Sequence, residues 1–266
     1  MAFPQLYEGI GDQSLRDLNE IYKKYFQLLE VKEYCNIMDV GCGPGKLTRK
    51  GLYPILPETL NKLIAVDISS EMIKYAKETY EANSKILFFQ MDILTDNIPN
   101  DFENHFDHIF SSYCMHLFAN QRKALLNIHK MLKSGGKIFL LFPSKCNFIE
   151  IYKYMAAKDK WKNLQSMISQ TSCSDNPTIY FENLLQEVGF VPRLCFETEK
   201  MLEYSKDSFL ALAQSRSVFG IPDSLREEFL SEHMEYLKQN NLIRTNGNEV
   251  TIHHSYSLLT VFAEKP

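Results

Sequence analysis

The sequence has one tryptophan in 266 residues and no long hydrophobic run. A membrane-spanning helix needs about 18–20 consecutive apolar residues, so none is expected here. Basic blocks are also missing. The net charge is -4 and the isoelectric point is near 6.0. Nucleic acid therefore finds no electrostatic footprint, and none is expected as a partner. Six cysteines, at 35, 42, 114, 146, 173 and 195, contain no C-x-x-C pair. That spacing offers no zinc knuckle or redox motif, and it fits reduced thiols in a cytoplasmic protein with no bound metal. The opening residues MAFPQLYEG lack a basic stretch followed by an apolar one, so no secretory signal is read there. Internal repeats and low-complexity segments are absent. So are the phosphate-cradling patterns G-x-G-x-x-G and G-x-x-x-x-G-K-[ST].

What the sequence does contain is organised around Ile37–Gly45, IMDVGCGPG. An apolar run closed by glycines reads as a buried strand entering a tight turn. The following KLTRKGLYPIL resumes helical spacing, giving the strand, turn and helix of an open α/β sheet. Gly41, Cys42 and Gly43 form the turn, where missing side chains let a ligand approach the backbone. Asp39 stands just before it. A carboxylate there repels phosphate but suits an ammonium. S-adenosylmethionine carries an amino-acid end and a sulfonium with no phosphate, so it fits this turn better than a dinucleotide does.

The remaining strands follow in order. Lys62–Asp67 ends on an acid placed to hold ribose hydroxyls, and Ser69 then caps a helix whose inner face carries Met72 and Ile73. Ile86–Gln90 precedes Asp92 and Ile93, a hydrogen-bond acceptor and an apolar neighbour suited to adenine. Phe106–Ser111 leads to Ser112, Tyr113, Cys114, His116 and Leu117. The turn Lys133–Gly136 precedes a fifth strand, Lys137–Phe142. Ligands in open α/β sheets sit beyond the carboxyl ends of the strands, and these residues all fall on that edge. Before the first strand, Leu15, Leu18, Ile21, Tyr22, Tyr25, Leu28 and Leu29 recur at helical spacing. Tyr7 and the polar run Gly11–Ser14 form an arm able to fold over a ligand. After Pro143 come two helical blocks, the second in two parts joined by Gly220-Ile221-Pro222. A sixth strand at Pro192–Glu199 divides them, and a terminal strand at Ile252–Glu264 closes the chain.

Taken together, IMDVGCGPG, AVDISSEMIKYA, FQMDI, FSSYCMHLF and LKSGGKIFLLF resemble the class I S-adenosylmethionine-dependent methyltransferases. More closely, Leu6-Tyr7, Arg16-Asp17, the segment around Trp161 and IPDSLREEFLSEHMEYL resemble the insect juvenile hormone acid O-methyltransferase group. The resemblance implies a Rossmann-like seven-stranded sheet with helical lid insertions, in a single methyltransferase domain over 1–266. Its parts are an N-terminal arm and helix (1–34), a donor-binding core (35–143), lid segments (144–190 and 200–250) and a terminal strand (251–266). It also implies an S-adenosylmethionine site at Asp39, Gly41, Gly43, Asp67, Ile68, Asp92, Ile93 and Ser112, with Cys42 and Met72 beside it and S-adenosylhomocysteine as product. A small-molecule acceptor is expected at Tyr7, Gln13, Ser14, Tyr113 and Leu117.

The chain departs from that group where Ser14 and Leu117 replace the polar anchors the group uses for a substrate carboxylate, with Gln13 one place away. Burying a carboxylate without donors costs several kcal/mol. The departure therefore favours a small phenol such as a vinylphenol over a terpenoid acid. A phenol needs help to lose its proton, and His116 is the candidate base, with a structural, backbone-bonded histidine as the alternative. His253 and His254 are weaker candidates. The alternatives are juvenile hormone acid or farnesoic acid methylation, N-methylation, and a non-catalytic S-adenosylmethionine-binding partner or sensor. A dehydrogenase is disfavoured by the G-x-G-x-G turn and by Asp39.

Overall fold

Apolar runs place five strands side by side at the centre of the chain. The structure is a computed structural model that describes residues 4–10, 12–82, 84–118, 120–216, 221–246 and 249–266. Gly11 of the polar run and Gly220 of the lid connection lie outside the described residues. The parallel strands are β1 (Asn36–Val40), β2 (Lys62–Asp67), β3 (Ile86–Gln90), β4 (Phe106–Ser112) and β5 (Leu132–Cys146). They are followed by β6 (Val191–Ser205), β7 (Ile243–Asn246) and β8 (Glu249–Glu264). The strand order is β3-β2-β1-β4-β5-β8-β6, with β8 antiparallel to β5 and β6, and β7 pairing with β8.

The order reverses between β1 and β4, where their carboxyl ends diverge and leave a crevice. Alternate residues of β5 explain the two-sided core, since successive side chains of a strand face opposite ways. Phe139 and Leu141 pack with Leu18, Ile21 and Tyr22. Ile138, Leu140 and Phe142 pack on the other face with Leu125, Ile128 and Phe181. The helices that supply these partners are α2 (Asp12–Tyr25), α4 (Gln121–Met131) and α7 (Pro177–Glu187). α1 (Pro4–Ile10) precedes them, and α3 (Ser70–Ala76) starts at Ser69, whose Oγ accepts from Met72 N at 3.3 Å. The insertions contribute α5 (Asn147–Ala156), α6 (Gln170–Cys173), α8 (Lys206–Arg216) and α9 (Arg226–Gln239).

Three expectations change. The sixth strand does not stop at Glu199 but continues to Ser205, paired with β8 down to Thr251. The stretch expected as a helical lid over 200–250 therefore begins as strand, and it also contains β7. Lys133–Gly136 is not a free turn. It lies in β5, with Gly135 at φ +76° and an irregular register against Phe106 and His108. Asp107 and the backbone of Lys265 hold this segment, through Lys133 Nζ at 2.8 Å and Gly135 N at 2.7 Å.

Candidate active site

The glycine turn leaves β1 with Gly41, Gly43 and Gly45 all at positive φ, +75°, +54° and +90°. The N–H groups of Gly41 and Cys42 both donate to Val66 O, at 2.7 and 3.0 Å, which ties the turn to β2. The first two glycines serve different needs. A Cβ on Gly41 would fall 2.1 Å from Cys114 Sγ, whereas one on Gly43 would meet no protein atom within 4 Å. Gly41 is thus demanded by packing, and Gly43 leaves open space.

Two carboxylates flank that space. Asp39 is buried and accepts from Thr48 Oγ1 at 2.6 Å. Its pKa is pushed up to about 7, chiefly by burial; the Thr48 bond opposes this and nearby Asp67 adds to it. Asp67 accepts from Gly43 N through Oδ2 and from Ser69 N through Oδ1, both at 2.9 Å. Burial raises its pKa, against the pull of those two N–H groups. Both oxygens keep lone pairs for a ligand.

From here a cavity runs across the strand ends. Asp39, Gly41, Cys42, Gly43, Pro44 and Asp67 form its glycine-turn end. Ser112, Tyr113, Cys114, His116 and Leu117, at and beyond the end of β4, form the middle. Beyond the switch in strand order lie Pro143, Cys146, Phe148, Leu202, Tyr204, Leu212, His254 and Tyr256, from β5, α5, β6, α8 and β8. Tyr7, Gln13, Ser14, Asp17 and Lys46 complete the wall. The N-terminal arm is pinned there. Lys46 Nζ reaches Glu8 O at 2.5 Å and Asp12 Oδ1 at 2.7 Å, and Tyr80 OH donates to Glu8 Oε1 at 2.5 Å. Tyr113 adopts φ +57°, uncommon for a residue with a side chain and frequent at functional sites.

Most residues singled out from sequence meet in this one cavity. Four of the expected donor-site residues do not reach its wall. Met72 and Ile93 are buried in the core, and Ile68 and Asp92 are exposed at the ends of β2 and β3, with Asp92 Oδ1 accepting from Leu94 N at 2.8 Å. His116 is 4% exposed and on the wall; His253 instead lies 3.4 Å from Glu203. Sequence reading gave no site role to Asp17, Lys46, Cys114, Cys146 or Tyr256. Asp17 carried a usable signal, an acid one helical turn after Gln13 on the face that also buries Leu18 and Ile21.

A methyltransferase domain family model matches residues 37–136. The juvenile hormone acid O-methyltransferase of Drosophila melanogaster is 31% identical over 240 residues, covering 86% of this chain and 80% of that protein. The chain belongs to that class I methyltransferase family. The Bombyx mori juvenile hormone acid O-methyltransferase is 28% identical across 98% of this chain and 96% of its own length. The YcgJ protein from Bacillus subtilis shares the fold, with a TM-score of 0.63 at 17% identity over 95% of this chain and 98% of that one. The methyltransferase takes S-adenosylmethionine as its cofactor. Its residues suit that molecule, with open space above Gly43, lone pairs on Asp67 and a buried acid, Asp39, for a cationic group. Among the described residues no helix is long and apolar enough to cross a membrane, and no group of three or more His, Cys, Asp or Glu could hold a metal.

Proposed function

We propose that this methyltransferase esterifies a lipophilic carboxylic acid, of the juvenile hormone acid or farnesoic acid kind. The observation that carries the reading is an apolar end, with Leu117, Pro143, Phe148, Leu202 and Leu212, continuous with the glycine-turn end of one cavity. The names of the two insect relatives support the same acceptor class. The preference for a phenol, drawn from Ser14 and Leu117, finds no support in those names.

Donor-poor surroundings are also no obstacle to carboxyl methylation. Bound S-adenosylmethionine supplies an activated methyl group on a cationic sulfur. The acceptor carboxylate forms the new O–C bond with a lone pair as the C–S bond breaks, its electron pair staying on sulfur. No proton moves, and the products are a methyl ester and S-adenosylhomocysteine. Opposite charges cancel along this path, so a cavity with few solvating groups disfavours the separated ions more than the transition state.

In this reading Asp67 takes the ribose hydroxyls and Asp39 faces the donor's ammonium. Tyr7, Ser14, Tyr113, Leu117 and His116 bound the acceptor. The chain's main work is alignment of the two reactants, worth about 7–11 kcal/mol of barrier in well-oriented systems. His116 positions the acceptor and takes no proton from it. The test is the pH profile of turnover with farnesoic acid and with 4-vinylphenol. An acid ionises near pH 4–5, so its kcat should be flat above about pH 6. His116→Ala should lower that kcat by less than the roughly 100-fold a lost general base costs. A rate confined to the phenol, rising through about pH 7 and abolished in His116→Ala, would refute the reading.

A further inference from the structure

Asp17, on α2 and 2% exposed, gathers donors from across the cavity. Tyr113 OH, from the end of β4, and Tyr256 OH, from β8, both donate to its Oδ2 at 2.7 Å. Gln13 Nε2 donates to its Oδ1 at 3.0 Å and approaches Tyr256 OH at 3.5 Å. Lys200 Nζ, from β6, stands 3.7 Å from Oδ1 and is shared with Glu20 at 2.6 Å. Gln13 Oε1 is taken by Arg16, at 2.7 and 3.0 Å.

These bonds fix where the hydrogens point. Each tyrosine has one O–H, and Asp17 receives both. Both amide hydrogens of Gln13 turn toward Asp17 and Tyr256. Gln13, Ser14, Asp17, Tyr113 and Tyr256 all line the cavity. What this corner presents to a ligand is therefore phenolic oxygen lone pairs, a surface that accepts hydrogen bonds, with Lys200 and Arg16 occupied behind it by Asp17, Glu20 and Gln13. Such a surface suits a cation and opposes a second carboxylate.

We propose that Asp17 is a positioning residue that makes acceptor binding conditional on a cationic donor: by holding the hydroxyl hydrogens of Tyr113 and Tyr256, it denies an acid acceptor both phenolic donors at this corner, so the acid binds well only when the sulfonium supplies the opposite charge. The inference rests on the carboxyl-methylation reading above. Two consequences follow. Acid does not fill the protein before the donor does, and it does not accumulate on the S-adenosylhomocysteine complex, where the sulfur is neutral. The two tyrosines link α2, β4 and β8, so one carboxylate sets this selectivity across elements far apart in sequence.

The experiment is calorimetry of farnesoic acid binding to the full chain loaded with S-adenosylhomocysteine or with sinefungin, which carries an ammonium in place of the methylated sulfur. The wild-type chain should bind the acid at least about tenfold more tightly in the sinefungin complex, as a nearby opposite charge in a poorly solvated site requires. In Asp17→Asn the amide donates to one tyrosine and frees its hydroxyl hydrogen for the cavity. The preference should then fall below about threefold, KM for the acid and kcat should fall together, and excess acid should become inhibitory. Asp17→Glu, which keeps the charge, should restore part of the preference. A merely structural role predicts a higher KM with the preference intact. Equal acid affinity in the two wild-type complexes, with the acid still methylated, overturns this proposal alone and needs no variant to fold. Acid bound by neither complex, with phenols turned over, removes the carboxyl reading and this proposal with it.

Discussion

At the residue scale, the two glycines of the turn make opposite predictions. Gly41→Ala forces a Cβ into Cys114, 2.1 Å from Sγ and 2.4 Å from Cβ. It should destabilise the fold by more than the 1–2 kcal/mol or so that positive φ alone costs, read as a lower midpoint in urea. Gly43→Ala carries only the φ penalty, because its Cβ enters open space. It should fold and yet lose most donor affinity in calorimetry. Normal donor binding by Gly43→Ala would place the donor elsewhere. Asp67→Ala should weaken donor binding by about 1.5–3 kcal/mol, the range for hydrogen bonds to a charged group. Asp39 gives a pH prediction. Burial pushes its folded pKa up to about 7, from an ordinary carboxyl value of 3.8. The donor-free protein thus holds this proton more tightly than the unfolded chain does. The stability contribution is full below about pH 4 and is lost as pH rises through about 7. An ammonium opposite Asp39 favours the ionised form, so donor affinity should rise with pH across that range, with proton release near pH 6. Asp39→Asn should flatten the dependence, and an unchanged slope in that variant would assign the titration to another group.

At the scale of elements, the arm and the long hairpin decide what closes the site. α1 brings Tyr7 to the cavity, and the arm that carries it is held by Lys46, itself one residue past the glycine turn. Lys46→Met removes the charge-assisted bonds to Glu8 O and Asp12 that tie the arm to the glycine turn. Limited proteolysis should then cut the arm faster in the donor-free protein, while the unfolding midpoint of the sheet moves little. An unchanged cutting rate would show that other contacts carry the arm. The parallel strands were legible in the sequence because each is a nearly continuous apolar run, covered on both faces. The end of β6 was not. Glu199, Lys200 and Glu203 are charged, the strand lies at the sheet's edge, and its alternate residues are only half-buried, so the apolar signal fades while the ladder to β8 continues. β7 is four residues long with mostly exposed side chains, too short for a periodicity. The glycine-turn half of the site was legible for the same reason as β1 and β2, since local spacing defines it. Tyr256, Cys146 and Leu202 reach the cavity only through the pairing of β8 with β5 and β6, which no local pattern announces.

At the scale of the whole molecule, the sheet order puts the glycine-turn end and the apolar end of the cavity on one edge, on either side of the β1/β4 switch. The glycine turn, Asp39 and Asp67 come from β1 and β2. The apolar wall comes from the insertions and the antiparallel hairpin. The division fits the proposed reaction, with the donor at the glycine turn and the acceptor against the apolar wall. It also makes the central claim a claim about the bond formed. The most direct measurement is the chemistry of the product made by the wild-type chain from labelled S-adenosylmethionine and an equimolar mixture of farnesoic acid and 4-vinylphenol. The account predicts that the label sits in a methyl ester, released as methanol by mild base. Label held in a base-stable methyl ether, with the acid recovered unchanged, would contradict it.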